Sequence, residues 1–229
     1  MGSLDELLRR HTTLRKLLRS YFLKRTIDIL GSLIFLIVLS PILLLTAIAI
    51  RIDSPGPIFA DIPMRVGKDG KLFKLYKFRS MIPGAQKLLM TDPRLKRLFK
   101  QYKENNYKLK NDPRITRVGS FIRRHSIDEF PQPINVLLGN MSLVGPRPYY
   151  QFELKEQTKK YPSVKPLLSQ VHSVLPGITG FWQVSGRSEV DFYKRIQLDA
   201  QYAQEWNLIY DILIIIKTPF TVLSGKGAY

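Results

Sequence analysis

Cysteine is absent from the 229-residue chain, which excludes disulfides and thiolate metal sites. Histidine is scarce: His11, His125 and His172 occur, and no two lie at zinc-ligand spacing. A bound metal would therefore be a hard ion held by carboxylate and phosphate oxygen. Acidic residues are outnumbered, with 18 Asp and Glu against 36 Lys and Arg and a formal charge of +18. Such a surplus asks for anionic partners: nucleic acid, anionic lipid or phosphorylated substrates. Charge alone does not choose among them. No internal repeat or low-complexity tract is present, and the length suits one substantial core.

What is there begins with Met1-Gly2-Ser3, which reads as an expression scar. Residues 4–25 then carry a rough apolar stripe of Leu4, Leu7, Leu8, Leu14, Leu17, Leu18 and Tyr21 among many basic residues. This pattern predicts a basic amphipathic helix on an anionic membrane surface, the alternative being an ordinary solvated helix. Residues 26–51 form the next unit. Ile29 to Ile50 carries no charge and is long enough to span a bilayer, with Lys24-Arg25 before it and Arg51 after. Ser40-Pro41 falls near its centre, where proline removes a backbone hydrogen bond and bends a helix.

A third unit, residues 52–229, opens with turn residues over Asp53–Pro57. The spacing over Arg65–Arg79 predicts a β-hairpin around Asp69-Gly70. Lys77 and Arg79 alternate on one strand face, able to meet a phosphate or simply to line a solvated edge. Residues 83–110 read as helical and charged, and a helix is expected over Val118–Arg124. Residues 153–173 are polar and interrupted by proline. A glycine-rich loop over Leu175–Arg187 is followed by an amphipathic helix over Val190–Asn207. The apolar stretch Leu208–Leu223 is broken by Asp211, Lys217 and Pro219 and should lie along a surface.

Between these lies Ser126-Ile127-Asp128-Glu129-Phe130-Pro131, an acidic pair with Arg123 and Arg124 before it and Arg147 after. Ser126 with Glu129 fits a helix capping box, and a carboxylate at a helix N-terminus among arginines stays ionised. The helix could begin near Asp128 or only near Pro131, ending around Gly139. Two carboxylates there could equally hold a metal or attack a phosphate, and the two readings are compatible.

The run from Ser126 to Gln132 and the run Asn135 to Pro148 resemble the core of the monotopic phosphoglycosyl transferases, the bacterial sugar transferase family. The Lys77-Phe78-Arg79-Ser80-Met81 run and the PGITG-x-x-QV-x-GR block, from Pro176 to Arg187, resemble it too. The likeness runs from about Lys24 to Tyr229. Departures are local: Asn140 and Leu138 stand where aspartate and lysine are frequent, and Ala60–Met64 replaces a glutamine-containing approach to Arg65.

The resemblance implies an α+β, mainly helical catalytic domain, seated on the cytoplasmic face of a bacterial inner membrane by a re-entrant helix that breaks at Ser40 and Pro41. It implies transfer of hexose-1-phosphate, galactose or glucose, from a UDP-sugar to polyprenyl (undecaprenyl) phosphate in glycan assembly. Asp128 would be the nucleophile and a ligand of Mg2+, and Glu129 its catalytic partner. Lys77, Arg79, Arg123, Arg147, Gln183 and Arg187 would contact substrate. Anionic lipids are the expected surroundings, no nucleic acid is expected, and a homodimer is left open. The competing class is a membrane-anchored nucleic-acid binder, which the charge permits but the acidic pair does not explain.

Overall fold

The computed structural model describes residues 4–104, 109, 112–186 and 190–223, with the backbone alone at 4–20, 103–104 and 222–223. Helices α1 (Leu4–Val38) and α2 (Ser40–Asp53) come first, then strands β1 (Arg65–Val66) and β2 (Leu72–Phe73). Helices α3 (Ala85–Thr91), α4 (Lys96–Glu104), α5 (Arg117–Arg124) and α6 (Pro133–Leu137) follow. Then come β3 (Ser142–Val144), β4 (Tyr149–Tyr150), α7 (Gln151–Lys160), α8 (Lys165–Val171) and β5 (Gly177–Thr179). Helices α9 (Phe181–Val184), α10 (Phe192–Glu205) and α11 (Leu208–Leu223) complete the α+β, mainly helical fold. Strands β2-β1-β4 form an antiparallel sheet, and β3 pairs in parallel with β5.

The basic helix expected over 4–25 and the first membrane arm are one uninterrupted helix, α1, with no break between residues 25 and 26. The stripe expected over 4–18 lies outside the described side chains. At Leu39 the chain turns by 62° into α2, and among the described residues no single helix is long and apolar enough to cross a membrane. Pro41 has no N–H to give the Ile37 carbonyl, and the Ser40 hydroxyl donates to that carbonyl instead, at 2.8 Å. The break is therefore satisfied locally rather than left as an orphaned group in an apolar setting.

Lys24 and Arg25, expected as charges flanking the apolar run, point inward. Lys24 Nζ reaches Asp211 Oδ2 at 2.6 Å and the Val144 carbonyl at 3.1 Å. Arg25 donates to the Val136 carbonyl at 2.7 Å. Asp28, also buried, accepts from Ser142 Oγ and the Leu143 N–H at 3.0 and 2.9 Å. Three polar side chains on one helix thus fasten α1 to α6, β3 and α11. Toward the outside, α1, α2 and α11 keep apolar residues exposed, among them Ile34, Ile37, Leu44, Leu45, Ile209 and Phe220.

Both arms also grip the segment around Asp128. On α1, Phe35 meets Phe130 edge-on, with ring centroids 5.3 Å apart. On α2, Ile50 is buried in a cluster with Phe78 and Ile122, against which Ile127 packs. Asp53, at the end of α2, accepts the Val118 N–H at 3.1 Å and so caps α5 from a distance in sequence.

The expected hairpin is present, with two-residue strands joined through a turn at Lys68–Gly70 in which Asp69 and Gly70 both take positive φ. Beyond it the chain stays extended as far as Lys77 to Arg79, where Phe78 bridges to Phe59. The helical stretch expected over 83–110 is cut at Asp92-Pro93 into α3 and α4. Helix α11 carries Pro219 within it and exposes Ile212, Leu213 and Ile216 while Ile214 and Asp211 are buried.

Candidate active site

Lys77 and the acidic pair, half a hundred residues apart in sequence, meet in the fold. Asn135, fully buried on α6, accepts the Tyr76 N–H at 2.8 Å and donates to the Lys74 carbonyl at 2.6 Å. One amide thus clamps the extended segment that carries Lys77. The Phe78 N–H donates to the Asp128 carbonyl at 2.8 Å, locking that segment to the acidic turn. Lys77 Nζ then lies 2.8 Å from Asp128 Oδ2 and 3.2 Å from Glu129 Oε1.

The capping box expected at Ser126 and Glu129 does not form. Ser126 takes a left-handed conformation, φ 57°, and its carbonyl rather than its hydroxyl accepts the Glu129 N–H. Residues 127–129 make one turn of 3-10 helix, and α6 starts only at Pro133. Asp128 consequently has no long helix dipole to favour its charge. Burial is the largest influence on its carboxyl and lifts it above the ordinary range; Lys77 opposes that lift and Glu129 adds to it. At Glu129 burial is again the largest influence and acts in the same sense, but the charge and hydrogen bond of Lys77, with Arg147 and Arg65, together outweigh it and hold the carboxyl below its ordinary value. Lys77 itself loses to burial and gains more from Asp128 and Glu129, so its pKa rises. Of the pair, Glu129 is the readier anion.

These groups open onto a cleft of about 1010 Å3. Arg123, Arg147 and Gln183 line it, together with Trp182. Arg123 acts electrostatically on Asp128 and Lys77, and Arg147 on Glu129. Arg79 reaches the cleft wall, but its guanidinium donates to the Ser54 and Pro55 carbonyls at 2.8 and 2.9 Å, tying down the chain after α2. Arg187 lies outside the described residues.

Arg147 follows Gly145-Pro146, where the chain runs against the glycine-rich segment. A Cβ on Gly145 would sit 2.3 Å from the Leu175 carbonyl oxygen, so only glycine allows this approach. Asp199 on α10 takes the Arg147 N–H at 3.2 Å and the Tyr149 hydroxyl at 2.9 Å. Sequence reading missed Asp199, Asn135 and three further cleft arginines, Arg65, Arg114 and Arg195. A lone polar residue among apolar helix positions, Asn135 between Ile134 and Val136, was the one signal available.

The arrangement can hold a phosphorylated molecule against a buried carboxylate. For a metal, no group of three or more Asp, Glu, His or Cys gathers among the described residues, so an all-protein cage is absent there. Mg2+ typically needs only one or two carboxylates with water and substrate phosphate. Asp128 and Glu129 meet that requirement.

A family model described as bacterial sugar transferase matches residues 19–225. The undecaprenyl-phosphate galactose phosphotransferase of Salmonella typhimurium is 44% identical over 217 residues, covering 92% of this chain and 42% of that protein. The UDP-glucose:undecaprenyl-phosphate glucose-1-phosphate transferase of Escherichia coli is 39% identical over 212 residues, covering 90% and 41%. The exopolysaccharide production protein ExoY of Sinorhizobium fredii is 36% identical over 206 residues, covering 90% and 88%. The chain spans about two fifths of the first two relatives and most of the third. By a match that takes in the acidic turn, the arginine cleft and both arms of the bent helix pair, the chain belongs to the bacterial sugar transferase family.

Proposed function

We propose that the protein transfers hexose-1-phosphate, from UDP-galactose or UDP-glucose, to polyprenyl phosphate, releasing UMP. The observation that carries this reading is Asp128, 3% exposed, with Lys77 at 2.8 Å, at the wall of an arginine-lined cleft. Relatives named for galactose and glucose phosphotransfer to undecaprenyl phosphate support the substrate class.

Both substrates are anionic, so the barrier is largely repulsion, and catalysis rests on positioning and neutralisation. Asp128 attacks the sugar-linked phosphorus and forms an acyl phosphate, which lets UMP leave before the lipid phosphate attacks. Lys77 favours the ionised form of Asp128 and offers its ammonium to the phosphoryl oxygens. Glu129, anionic beside the same ammonium, orients Lys77 and can accept a proton. Asp128 with substrate diphosphate oxygens would hold Mg2+, whose chemistry there is to neutralise the leaving phosphate. Arg123 and Arg147 contact phosphate. The bent pair α1–α2 dips into one leaflet of the cytoplasmic membrane as a re-entrant element, bringing the cleft to headgroup level where the lipid phosphate lies.

The test is a panel of UDP-sugars with undecaprenyl phosphate and Mg2+. UMP release with UDP-galactose or UDP-glucose, dependent on the divalent ion, is the expected result. Absence of UMP with every sugar, alongside salt-sensitive oligonucleotide binding, would sink the proposal in favour of a nucleic-acid binder.

A further inference from the structure

The cleft contains more positive charge than the Lys77, Asp128 and Glu129 group uses. Arg65, Arg147 and Arg195 line it, and none makes an ion pair among the described residues. Arg65 donates to the Pro148 carbonyl at 3.2 Å and Arg195 to the Val190 carbonyl at 2.9 Å. In all three the Nε is buried without a hydrogen-bond partner. Neither neighbouring carboxylate is ion-paired with them: Glu153 accepts the Tyr150 N–H, and Asp199 accepts from Tyr149 and the Arg147 backbone through Oδ2, its Oδ1 being left without a partner. Charge on Arg147 works against charge on both Arg65 and Arg195.

Aromatic rings hold these guanidinium groups in place. The Trp182 ring centre lies 5.4 Å from the guanidinium carbon of Arg147 and 5.0 Å from that of Arg195. Arg65 stacks on Tyr150 at 3.3 Å. Like charges fixed side by side in a partly buried setting are unfavourable alone and match an anion with several acceptor oxygens. Lys77 and Arg123 act electrostatically on Asp128, and Arg65 and Arg147 on Glu129, while Arg147 and Arg195 share the Trp182 ring and repel one another.

We propose that Arg195, held with Arg147 on Trp182, binds a substrate phosphate, and that the pair serves in turn the phosphate monoester that leaves and the one that arrives. This rests on the reaction proposed above. In the first step an Asp128 oxygen bonds to the sugar-linked phosphorus, the bond from that phosphorus to the bridging oxygen breaks, and the electron pair departs on UMP. In the second, an oxygen of polyprenyl phosphate bonds to the same phosphorus, and the Asp128–phosphorus bond breaks with its electron pair returning to the carboxylate. Attacking and leaving oxygens lie roughly in line at phosphorus. The monoester phosphate therefore sits opposite Asp128 in both steps, and one anion subsite suffices for two phosphates used in succession. Trp182 in this arrangement is a platform for guanidinium groups, not for the uracil ring.

The experiment compares wild type, Arg195→Gln, Arg195→Lys and Trp182→Leu, all as full chains in detergent, by steady-state kinetics and by calorimetric titration with UMP. Arg195→Gln should raise KM for UDP-sugar, KM for undecaprenyl phosphate and the inhibition constant of UMP together, by about 10-fold or more, with Tm unchanged. Arg195→Lys should recover part of each, and Trp182→Leu should reproduce the parallel rise without loss of a charge. A rise confined to UDP-sugar and UMP in these variants would overturn the shared subsite. Unchanged constants in Arg195→Gln would overturn the assignment of Arg195. If Arg195→Gln does not fold, the Trp182→Leu constants decide by the same criteria. If wild type releases no UMP, the proposed reaction itself fails, and the UMP titration still judges Arg195: equal binding by wild type and Arg195→Gln rejects it, and a 10-fold loss supports it.

Discussion

At the scale of single residues, the proposed chemistry rests on a carboxylate whose ionisation its burial opposes. Asp128→Asn keeps size and most hydrogen bonding, while an amide oxygen is a poor nucleophile. Turnover should vanish while Tm stays within a few degrees, and sugar-labelled UDP-hexose with Mg2+ should label wild-type Asp128 and leave the variant unlabelled. Glu129→Gln should weaken turnover strongly. A normal wild-type rate with lipid, with no label and no burst of UMP without it, would instead favour direct transfer.

A second residue predicts a pH dependence of stability. Asp199 is fully buried, and burial pushes its carboxyl from 3.8 up to about 7 against the pull of Tyr149 and the Arg147 N–H. Between those values the folded protein holds a proton that the unfolded chain has released, so stability falls as pH rises through that window and levels off above it. The difference corresponds to about 4 kcal/mol for an isolated group. Chemical denaturation from pH 4 to pH 8 should show this downward slope, and Asp199→Asn should flatten it. An unchanged slope in the variant would show that Asp199 is ionised throughout. None of this was visible in the sequence, where Asp199 is one acid in an amphipathic helix; its burial depends on α10 packing against the segment that carries Arg147.

Elements reveal which sequence signals are reliable. The bend at Ser40-Pro41 was legible because proline's missing N–H is a local fact, and so was the Asp69-Gly70 turn. The capping box was misread because nothing in the sequence shows that Ser126 takes a positive φ. The inward course of Lys24 and Arg25 was not legible, because position beside an apolar run says nothing about direction. In the fold Lys24 and Asp211 form a mostly buried pair joining α1 to α11. Lys24→Met should therefore cost about 3–5 kcal/mol, because it strands a buried carboxylate. Replacing both, as Lys24→Met with Asp211→Leu, should restore much of that loss. Thermal unfolding in detergent measures both, and a single variant as stable as wild type would mark the pair as incidental.

For the whole molecule, the arrangement that matters is the bent pair. Single cysteines near residue 23 and residue 54 should be labelled from the same, cytoplasmic side of sealed vesicles. Labelling from opposite sides would make the pair a broken span. Pro41→Leu should straighten the element and shift some molecules toward spanning.

The same pair has a mechanical side. Phe35 on one arm holds Phe130, and Ile50 on the other packs with Phe78, so the acidic turn is pinched between two levers that meet at Leu39. Whatever changes the opening of those levers is delivered to Lys77, Asp128 and Glu129. In the proposed membrane setting the thickness and lateral pressure of the leaflet would do this, independently of whether any lipid serves as substrate. Formation of UMP in a single turnover, with no polyprenyl phosphate present, should therefore vary with acyl-chain length in nanodiscs of otherwise equal charge. A rate indifferent to chain length would mean the turn is insulated from its arms. If the rate varies, the bilayer is a regulator of the proposed first chemical step as well as the place where the proposed acceptor is found.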